Sequence, residues 1–251
     1  MNICVFGDSI AKGVVYDENK GRYVFSPDSF TNIISRETGI TFKNYARFGC
    51  TTEKAKAVIG KHLDELDQYD YVLLEFGGND CDLDWEEASR CPDDPQEGQV
   101  GREAFARNYK DIIRQIKEHG GRPVVTTLPP LDSGKFFNWV TKDLNRFNVM
   151  RFLKNDRMNI YRWQEEYSEL IYEIADSTSV PVLDIRRAFL EASGEDLMCV
   201  DGMHPNENGQ RLIAGFLEDE WLSLTKKQSG ILDWDQLLPF EFSGPLSLSV
   251  S

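Results

Sequence analysis

The sequence predicts an open α/β sandwich built on a parallel sheet. Short β-rich runs alternate with amphipathic stretches over most of the 251 residues, and this alternation is typical of parallel strands that are connected by helices. Several of the β-rich runs are hydrophobic almost without interruption, as expected where helices cover both faces of a sheet. Together the two patterns indicate the α/β class.

The predicted strands are residues 3–6, 42–45, 71–76, 123–127 and 181–184. Three helices are predicted from apolar residues at helical spacing: one over 105–116, which Gly120 and Gly121 end, one over 163–174, and one after Pro205 with its apolar face at 212–217.

No internal repeat or linker divides the chain, so we expect one domain over residues 1–227. Residues 228–251 show no clear periodicity and predict a C-terminal tail that packs on the domain or is flexible. Two stretches are predicted insertions: 81–101 is acidic and rich in turn residues, and 132–157 mixes aromatic with basic residues. Each follows a strand, so both are expected at the edge where open α/β sheets place their sites.

Charge and cysteine content argue against several classes of protein. The formal net charge of −14 disfavours nucleic acids and anionic membrane surfaces as partners. No apolar run approaches the roughly 18 residues of a membrane span, and the first residues lack the cationic start and apolar core of a signal peptide. Five cysteines, an odd number, do not suggest a disulfide framework. We therefore expect a cytoplasmic protein with reduced thiols.

The first predicted strand runs directly into Gly7-Asp8-Ser9-Ile10. A serine at the carboxyl end of a buried strand is well placed to be a nucleophile, and its own N–H can face a developing negative charge. On this segment alone a helix N-cap is the simpler interpretation, because Ser and Asp are both common in that position.

The chain contains three histidines. His62 is predicted on a solvated helix face, and His119 at the C-terminus of a helix, where a cationic side chain is favourable. His204 lies in Asp201-Gly202-Met203-His204-Pro205, a turn in which Asp201 can bond one imidazole nitrogen while the other faces outward. Asp-Gly and His-Pro are also ordinary turn formers, so this motif alone leaves both interpretations open.

Two further segments offer hydrogen-bond donors. Gly77-Gly78-Asn79-Asp80 follows the most hydrophobic strand, and an Asn amide beside glycines can donate to an oxyanion. Gly49, in the loop after the second strand, can offer a bare backbone N–H. Taken singly, a turn is the more common meaning of Gly77-Gly78-Asn79-Asp80, and a loop glycine is the simpler interpretation of Gly49.

The order Ser9, Gly49, Asn79, Asp201, His204 resembles the four sequence blocks of the SGNH (GDSL-type) hydrolase family over about residues 7–216, and Asn206-Glu207-Asn208-Gly209 adds to the resemblance. The resemblance implies that Ser9 is the nucleophile, His204 the general base and Asp201 the residue that orients it. It further implies an oxyanion hole formed by the N–H groups of Ser9 and Gly49 and the Asn79 amide. The implied fold is a three-layer, flavodoxin-like sandwich with a five-stranded parallel sheet. Residues 81–101 make a longer path than the family often has.

Motifs of competing classes are absent from the sequence. There is no G-x-S-x-G elbow, no dinucleotide-binding or P-loop glycine motif, and no His or Cys spacing that suggests zinc. We therefore predict that the chemistry requires neither a metal nor a cofactor.

The two insertions carry their own signals. The acidic residues of 81–101 lack the ligand spacing of a calcium loop, so a solvated loop is the favoured interpretation. The second insertion interleaves basic residues with aromatic ones, which either line an acyl or sugar pocket or form a subunit interface, so a homo-oligomer is left open. These aromatic residues are Phe136, Phe137, Trp139, Phe147 and Phe152.

The predicted function is that of a serine esterase acting, through an acyl-enzyme, on small or carbohydrate-linked acyl esters. A thioesterase or lysophospholipase with the same site is the alternative. A non-catalytic ligand-binding module is less favoured, because Ser9, Asn79, Asp201 and His204 are all present. The net charge and the lack of an anchor predict a water-soluble small-molecule substrate with a short acyl chain.

Overall fold

The computed structural model describes residues 1–192 and 194–228. It has two compact units, Met1–Glu218 and Asp219–Ser251. In the second unit, the described residues belong to the end of the last helix. The predicted tail, 228–251, lies outside the described residues apart from Gln228, the last residue of that helix.

Five parallel strands form the central sheet, and two antiparallel strands form a separate hairpin. In chain order the strands are β1 (Asn2–Gly7), β2 (Val14–Asp17), β3 (Arg22–Phe25), β4 (Thr41–Asn44), β5 (Tyr71–Glu75), β6 (Pro123–Thr126) and β7 (Val182–Leu183). The order across the sheet is β4-β1-β5-β6-β7, which is the flavodoxin-like order 2-1-3-4-5 when sheet strands alone are numbered. The predicted α/β sandwich on a five-stranded parallel sheet is confirmed.

All five predicted sheet strands are present, with ends that differ by at most one residue from those predicted. The hairpin β2–β3 was not predicted. Its residues are exposed or half-buried apart from Val14, so it lacks the apolar run that identifies the sheet strands. The strands β2 and β3 pair with each other in antiparallel register, from Val14↔Phe25 to Asp17↔Arg22.

The described helices are α1 (Phe30–Thr38), α2 (Thr52–Ile59), α3 (Trp85–Arg90), α4 (Arg102–Glu118), α5 (Ser133–Val140), α6 (Arg146–Phe152), α7 (Met158–Thr178), α8 (Ile185–Glu191) and α9 (Glu207–Gln228), with a 3-10 helix at Leu63–Gln68. The three predicted helices correspond to α4, α7 and α9. The others are short and give little periodicity, but several have a polar N-cap whose side chain accepts a backbone N–H. These caps are Ser29, Thr51, Asp84, Asp132, Asn145 and Asp184.

The main core lies between the sheet and the helices α2, α4 and α7. All of β5 is buried, as its position between β1 and β6 requires. Successive strand residues point to opposite faces, so Cys4 and Phe6 enter this core while Ile3 and Val5 are buried on the other face. None of the described helices is both long enough and apolar enough to span a membrane.

The two insertions pack against each other. The first was predicted as a solvated loop, but it contains α3 and buries Leu83 and Ala88. The hydroxyl and carbonyl of Ser89, also buried, bond Asn145 and Asn148 of the second insertion at 3.0 and 2.7 Å. The acidic side chains concealed this arrangement in the sequence, because most of them are exposed on a segment whose small and apolar residues are buried.

Candidate active site

Ser9, His204 and Asp201 form one hydrogen-bonded chain. The Oγ of Ser9 lies 2.8 Å from Nε2 of His204, and Nδ1 of the same ring lies 2.6 Å from Oδ2 of Asp201. All three residues are buried, with at most 6% of the surface of each exposed. A carboxylate only accepts hydrogen bonds, so Nδ1 carries the proton that His204 donates to Asp201, and Nε2 is free to accept from the Ser9 hydroxyl.

Local contacts hold the turn that carries His204. The Oδ1 of Asp201 accepts the backbone N–H groups of Met203 and His204 at 2.9 and 3.1 Å. An isolated bridge between Met198 and Pro205 ties the segment before the turn to the segment after it. The chain thus uses one oxygen of Asp201 to build the turn and the other to bind the imidazole.

Burial alone would raise the pKa of Asp201. Its hydrogen bonds with the His204 imidazole and with the backbone N–H groups outweigh burial, so the pKa of Asp201 lies below its ordinary value. Asp201 is therefore an anion at neutral pH, and its charge faces the imidazole that has to become positive if it takes a proton.

The predicted oxyanion donors lie at the ends of three neighbouring strands. Ser9 follows β1, Gly49 lies in the loop after β4, and Asn79 follows β5. One N–H of the Asn79 amide donates to Oδ2 of Asp8 at 2.9 Å, which leaves its second N–H available. The backbone N–H groups of Ser9 and Gly49 donate to no group in the described part of the chain.

Two of the buried carboxyl groups at this edge of the sheet, those of Glu75 and Asp8, form a pair. Oε2 of Glu75 accepts the N–H groups of Ala11 and Asp8 at 3.1 and 3.4 Å, on either side of Ser9. Burial raises the pKa of Glu75 well above its ordinary value, and the charge of Asp8 raises it further. Burial also raises the pKa of Asp8, but the Ile10 N–H and the Asn79 amide favour its ionised form. Glu75 is therefore the protonated member of the pair.

Aromatic rings that were not identified in the sequence as site residues lie close to His204. The ring of Tyr23, from the hairpin, lies 5.0 Å from the imidazole, and the ring of Phe48 lies nearly parallel to it at 6.2 Å. Phe48 is 57% exposed, so its outer surface is open to a ligand. These residues lie far from His204 in sequence, so only the fold reveals the contacts.

A pocket of about 720 Å³ adjoins the site. Ile10, Gly78 and Met203 line it, and each is the chain neighbour of Ser9, Asn79 or His204. The remaining walls come largely from the two insertions and α7. Both insertions therefore lie at the edge of the sheet where the sequence places them.

The aromatic residues of the second insertion lie in different surroundings. Phe136 and Phe152 line the pocket, while Phe137 is buried in the cluster that the insertion forms. Trp139 instead contacts Tyr16 and Tyr23 of the hairpin, and Phe147 is 88% exposed.

The two other histidines have structural roles. His62 was predicted on a solvated helix face, but its half-buried ring stacks on Tyr45 at 3.8 Å and Nδ1 lies 2.6 Å from Glu65. The prediction was wrong because Tyr45 lies 17 residues away and its position depends on the sheet. His119 lies at the C-cap of α4, as predicted.

The described residues contain one group whose atoms approach each other as metal ligands would. It consists of Glu87, Cys91 and Asp94, with ligand atoms within 4.8 Å of one another. Glu87 is already paired with Arg90, and Asp94 is exposed. The group lies in the first insertion and takes no part in the Ser9 site. All five cysteines are free thiols, as expected.

Residues 5–212 match the sequence profile of the GDSL-like lipase/acylhydrolase family. The chain belongs to this family. The match spans all five residues of the candidate site, and family membership assigns the chain to the acyl hydrolases.

One similar protein is a distant relative. A lipoprotein, YqeF of Bacillus subtilis (strain 168), is 24% identical, and the alignment covers 87% of this chain and 88% of that protein. Because that protein is named a lipoprotein, the cytoplasmic location of this chain remains a prediction.

Solved structures show the same fold. A lipase/acylhydrolase from Enterococcus faecalis has a TM-score of 0.58 at 21% identity, covering 87% of this chain and 94% of its own. A catalytic mutant of Axe2, an acetylxylan esterase from Geobacillus stearothermophilus, has a TM-score of 0.58 at 16% identity, with 87% and 93% covered.

Gly202 is a test of the turn that carries His204. Its φ is +71°, and a Cβ there would lie 2.4 Å from the backbone nitrogen of Phe136. We expect Gly202→Ala to lower the free energy of unfolding by at least about 1 to 2 kcal/mol, from the left-handed conformation alone, and to disturb the His204 contact. Urea unfolding measures the loss. Gly215→Ala, at an exposed position in α9 with open space around it, is the matched control and should leave stability unchanged or raised. Equal stability of the two variants would contradict the prediction.

Glu75→Gln tests whether the carboxyl group of Glu75 is protonated in the folded protein. Glutamate has an ordinary pKa of 4.5, and a raised value in the folded protein means that folding takes up a proton above that pH. Stability of the wild type should therefore fall as pH rises, by at most about 1.4 kcal/mol per pH unit from this group. The neutral glutamine lacks this dependence, so the melting temperature of Glu75→Gln relative to the wild type should increase from pH 5 to pH 8. The exposed Glu173→Gln is the control, and a difference that does not vary with pH would show that Glu75 is ionised.

Proposed function

We propose that the chain is a serine carboxylic ester hydrolase in which Ser9 is the nucleophile, His204 the general base and Asp201 the residue that orients and stabilises the imidazole. The observation that carries the proposal is the hydrogen-bonded chain from Asp201 through His204 to Ser9, at 2.6 and 2.8 Å. A nucleophile, a base within hydrogen-bond reach and a third group that orients the base are the requirements of nucleophilic catalysis by a hydroxyl.

In the first step Ser9 Oγ attacks the ester carbonyl carbon while His204 Nε2 takes the hydroxyl proton. The carbonyl oxygen becomes an oxyanion, which the N–H groups of Ser9 and Gly49 and the free N–H of Asn79 stabilise. The Asn79 amide is pre-oriented for this role, because Asp8 holds its other N–H. The negative charge of Asp201 stabilises the imidazolium that forms.

In the second step the tetrahedral intermediate collapses. The bond between the carbonyl carbon and the alcohol oxygen breaks, and His204 gives its proton to that oxygen. Water then attacks the acyl-enzyme with His204 again acting as base, and the carboxylic acid leaves as Ser9 regains its proton. Apart from the ester and water, these steps use only side chains and backbone groups of this chain, with no metal or cofactor.

The substrates that we propose are small or carbohydrate-linked acyl esters. The fold likeness to an acetylxylan esterase supports a carbohydrate alcohol. The exposed face of Phe48 and the half-buried Tyr23, both beside His204, offer aromatic surfaces on which a sugar ring can pack. The alternative is a thioesterase or lysophospholipase that uses the same steps, and the pocket beside Ser9 is the observation that favours it.

Covalent labelling tests the nucleophile. A fluorophosphonate probe followed by peptide mass mapping should modify Ser9 and leave other serines unmodified. Excess substrate ester should slow the labelling of Ser9 for as long as the ester is present. An active enzyme that is labelled at another residue, or at none, would exclude Ser9 as the nucleophile.

Substitutions of the site residues should lower kcat by amounts that differ with the role of each residue. Ser9→Ala and His204→Ala should each remove nearly all turnover, because nucleophile and base act as a unit. Asp201→Ala should retain more activity than His204→Ala, since Asp201 acts through the imidazole. Asn79→Ala should lower kcat on the order of 10²- to 10³-fold, the usual effect of losing one oxyanion donor.

The measurement is kcat for each variant, with circular dichroism to show that it is folded. His119→Ala is the control, because His119 lies at the C-cap of α4 and is not part of the site. A folded His204→Ala variant with nearly normal kcat would refute the catalytic assignment and leave the fold assignment intact.

A further inference from the structure

We infer that the pocket between the two insertions binds the acyl part of the substrate, and that this part is an uncharged hydrocarbon chain of about eight carbons or more. The inference rests on the proposed function, since it takes Ser9 as the atom that attacks the ester. It departs from the short acyl chain that the net charge suggested.

The position of the pocket connects it to the reacting group. Ile10, Gly78 and Met203 belong to its lining, and they directly adjoin Ser9, Asn79 and His204 in the chain. A substrate whose carbonyl lies at Ser9 therefore has the pocket within reach of one of its two ends.

The walls of the pocket are suited to hydrocarbon. Leu83, Trp85, Leu131, Phe136, Phe152 and Ile160 line it, and each is buried or half-buried. Burial of apolar surface stabilises a bound chain in proportion to the area removed from water. An acetyl group would leave most of the 720 Å³ filled with water. The pocket therefore favours a longer chain.

The polar side chains of the inner wall are already bonded within the protein. Asp82 accepts hydrogen bonds from the Leu83 N–H and the Trp85 indole, both at 3.0 Å. The Gln164 amide donates to the Pro129 carbonyl at 2.8 Å and accepts from the Leu131 N–H at 3.3 Å. Sugar hydroxyls would have to displace these bonds, whereas a hydrocarbon chain does not need them.

Both arginines of the lining are also paired, while Lys154 and Asp94 of the lining are exposed and have no ion pair in the described part of the chain. Arg151 contacts Asp93 at 2.6 Å, and Arg162 contacts Asp156 at 2.6 Å. Both arginines are therefore already engaged by carboxylates, which disfavours a phosphate or carboxylate as the group bound in this pocket. The occupant that fits best is neutral. The hydrophilic part of the ester then lies on the other side of Ser9, towards Tyr23 and Phe48.

A series of p-nitrophenyl esters from acetate to dodecanoate tests the inference. At about 0.8 kcal/mol for each buried methylene, kcat/KM should rise about threefold to fourfold per carbon, or on the order of 100-fold from butyrate to octanoate. A series that is flat, or that falls after acetate, would overturn the inference.

Pocket variants locate the effect. Leu131→Trp fills the pocket and should lower the ratio of octanoate to acetate turnover at least about tenfold. Phe147→Ala is the matched control, because Phe147 lies on α6 but is 88% exposed and outside the pocket. If Leu131→Trp does not fold, Phe152→Glu, which introduces a charge at a half-buried wall position, should lower the same ratio. An unchanged ratio in a folded pocket variant would overturn the inference.

Binding to Ser9→Ala distinguishes this inference from the proposed function, because it requires no turnover. Calorimetry with decanoic acid should show one site on Ser9→Ala and greatly weakened binding when Leu131→Trp is added. Decanoic acid that binds while no ester is hydrolysed by the wild type would support the pocket and refute the proposed function. Hydrolysis of acetate esters together with no binding of decanoic acid would refute the pocket and leave the proposed function standing.

Discussion

The contact between Ser9 and His204 joins two ends of the domain that are 195 residues apart in sequence. It forms only if the carboxyl end of β1 and the turn before α9 come to the same edge of the sheet. The parallel register of β1 between β4 and β5 provides the first half of this requirement. The turn built on Asp201 provides the second. The rest of the site is arranged around this contact, because Gly49 and Asn79 follow the two strands that flank β1.

Two carboxyl groups in the interior are the unusual feature of this edge. Burying them is unfavourable unless backbone N–H groups and a shared proton compensate. Here the compensating hydrogen bonds come from the backbone N–H groups of Asp8, Ile10 and Ala11 and from the Asn79 amide. These residues belong to the two segments that carry the candidate oxyanion donors Ser9 and Asn79. The arrangement fixes the backbone on both sides of Ser9 through N–H groups and carboxyl oxygens that do not compete for His204.

Much of the fold and of the candidate site was predictable from the sequence. The strands of the sheet are recognisable in the sequence as apolar runs. The helices α4 and α7 are recognisable by the helical spacing of their apolar residues. The order of Ser9, Asn79 and His204 along the chain identified side chains that the structure brings to one edge. Features created by contacts distant in sequence were not predictable: the hairpin, the Tyr23 ring over His204, and the burial of Glu75 depend on how elements pack rather than on local pattern.

The hydrogen bonds of Ser89 with Asn145 and Asn148 join the two insertions into one body beside the sheet. On the proposed function, bond cleavage belongs to the loops that carry Ser9, Asn79 and His204, and recognition of the substrate belongs to the two insertions. During evolution the insertions can change while the reacting groups stay constant, provided that the hydrogen bonds between the insertions persist. The range of substrates is then expected to diverge among relatives faster than the reaction type. The residues that form the hydrogen bonds between the insertions are expected to change more slowly than the pocket walls on either side of them.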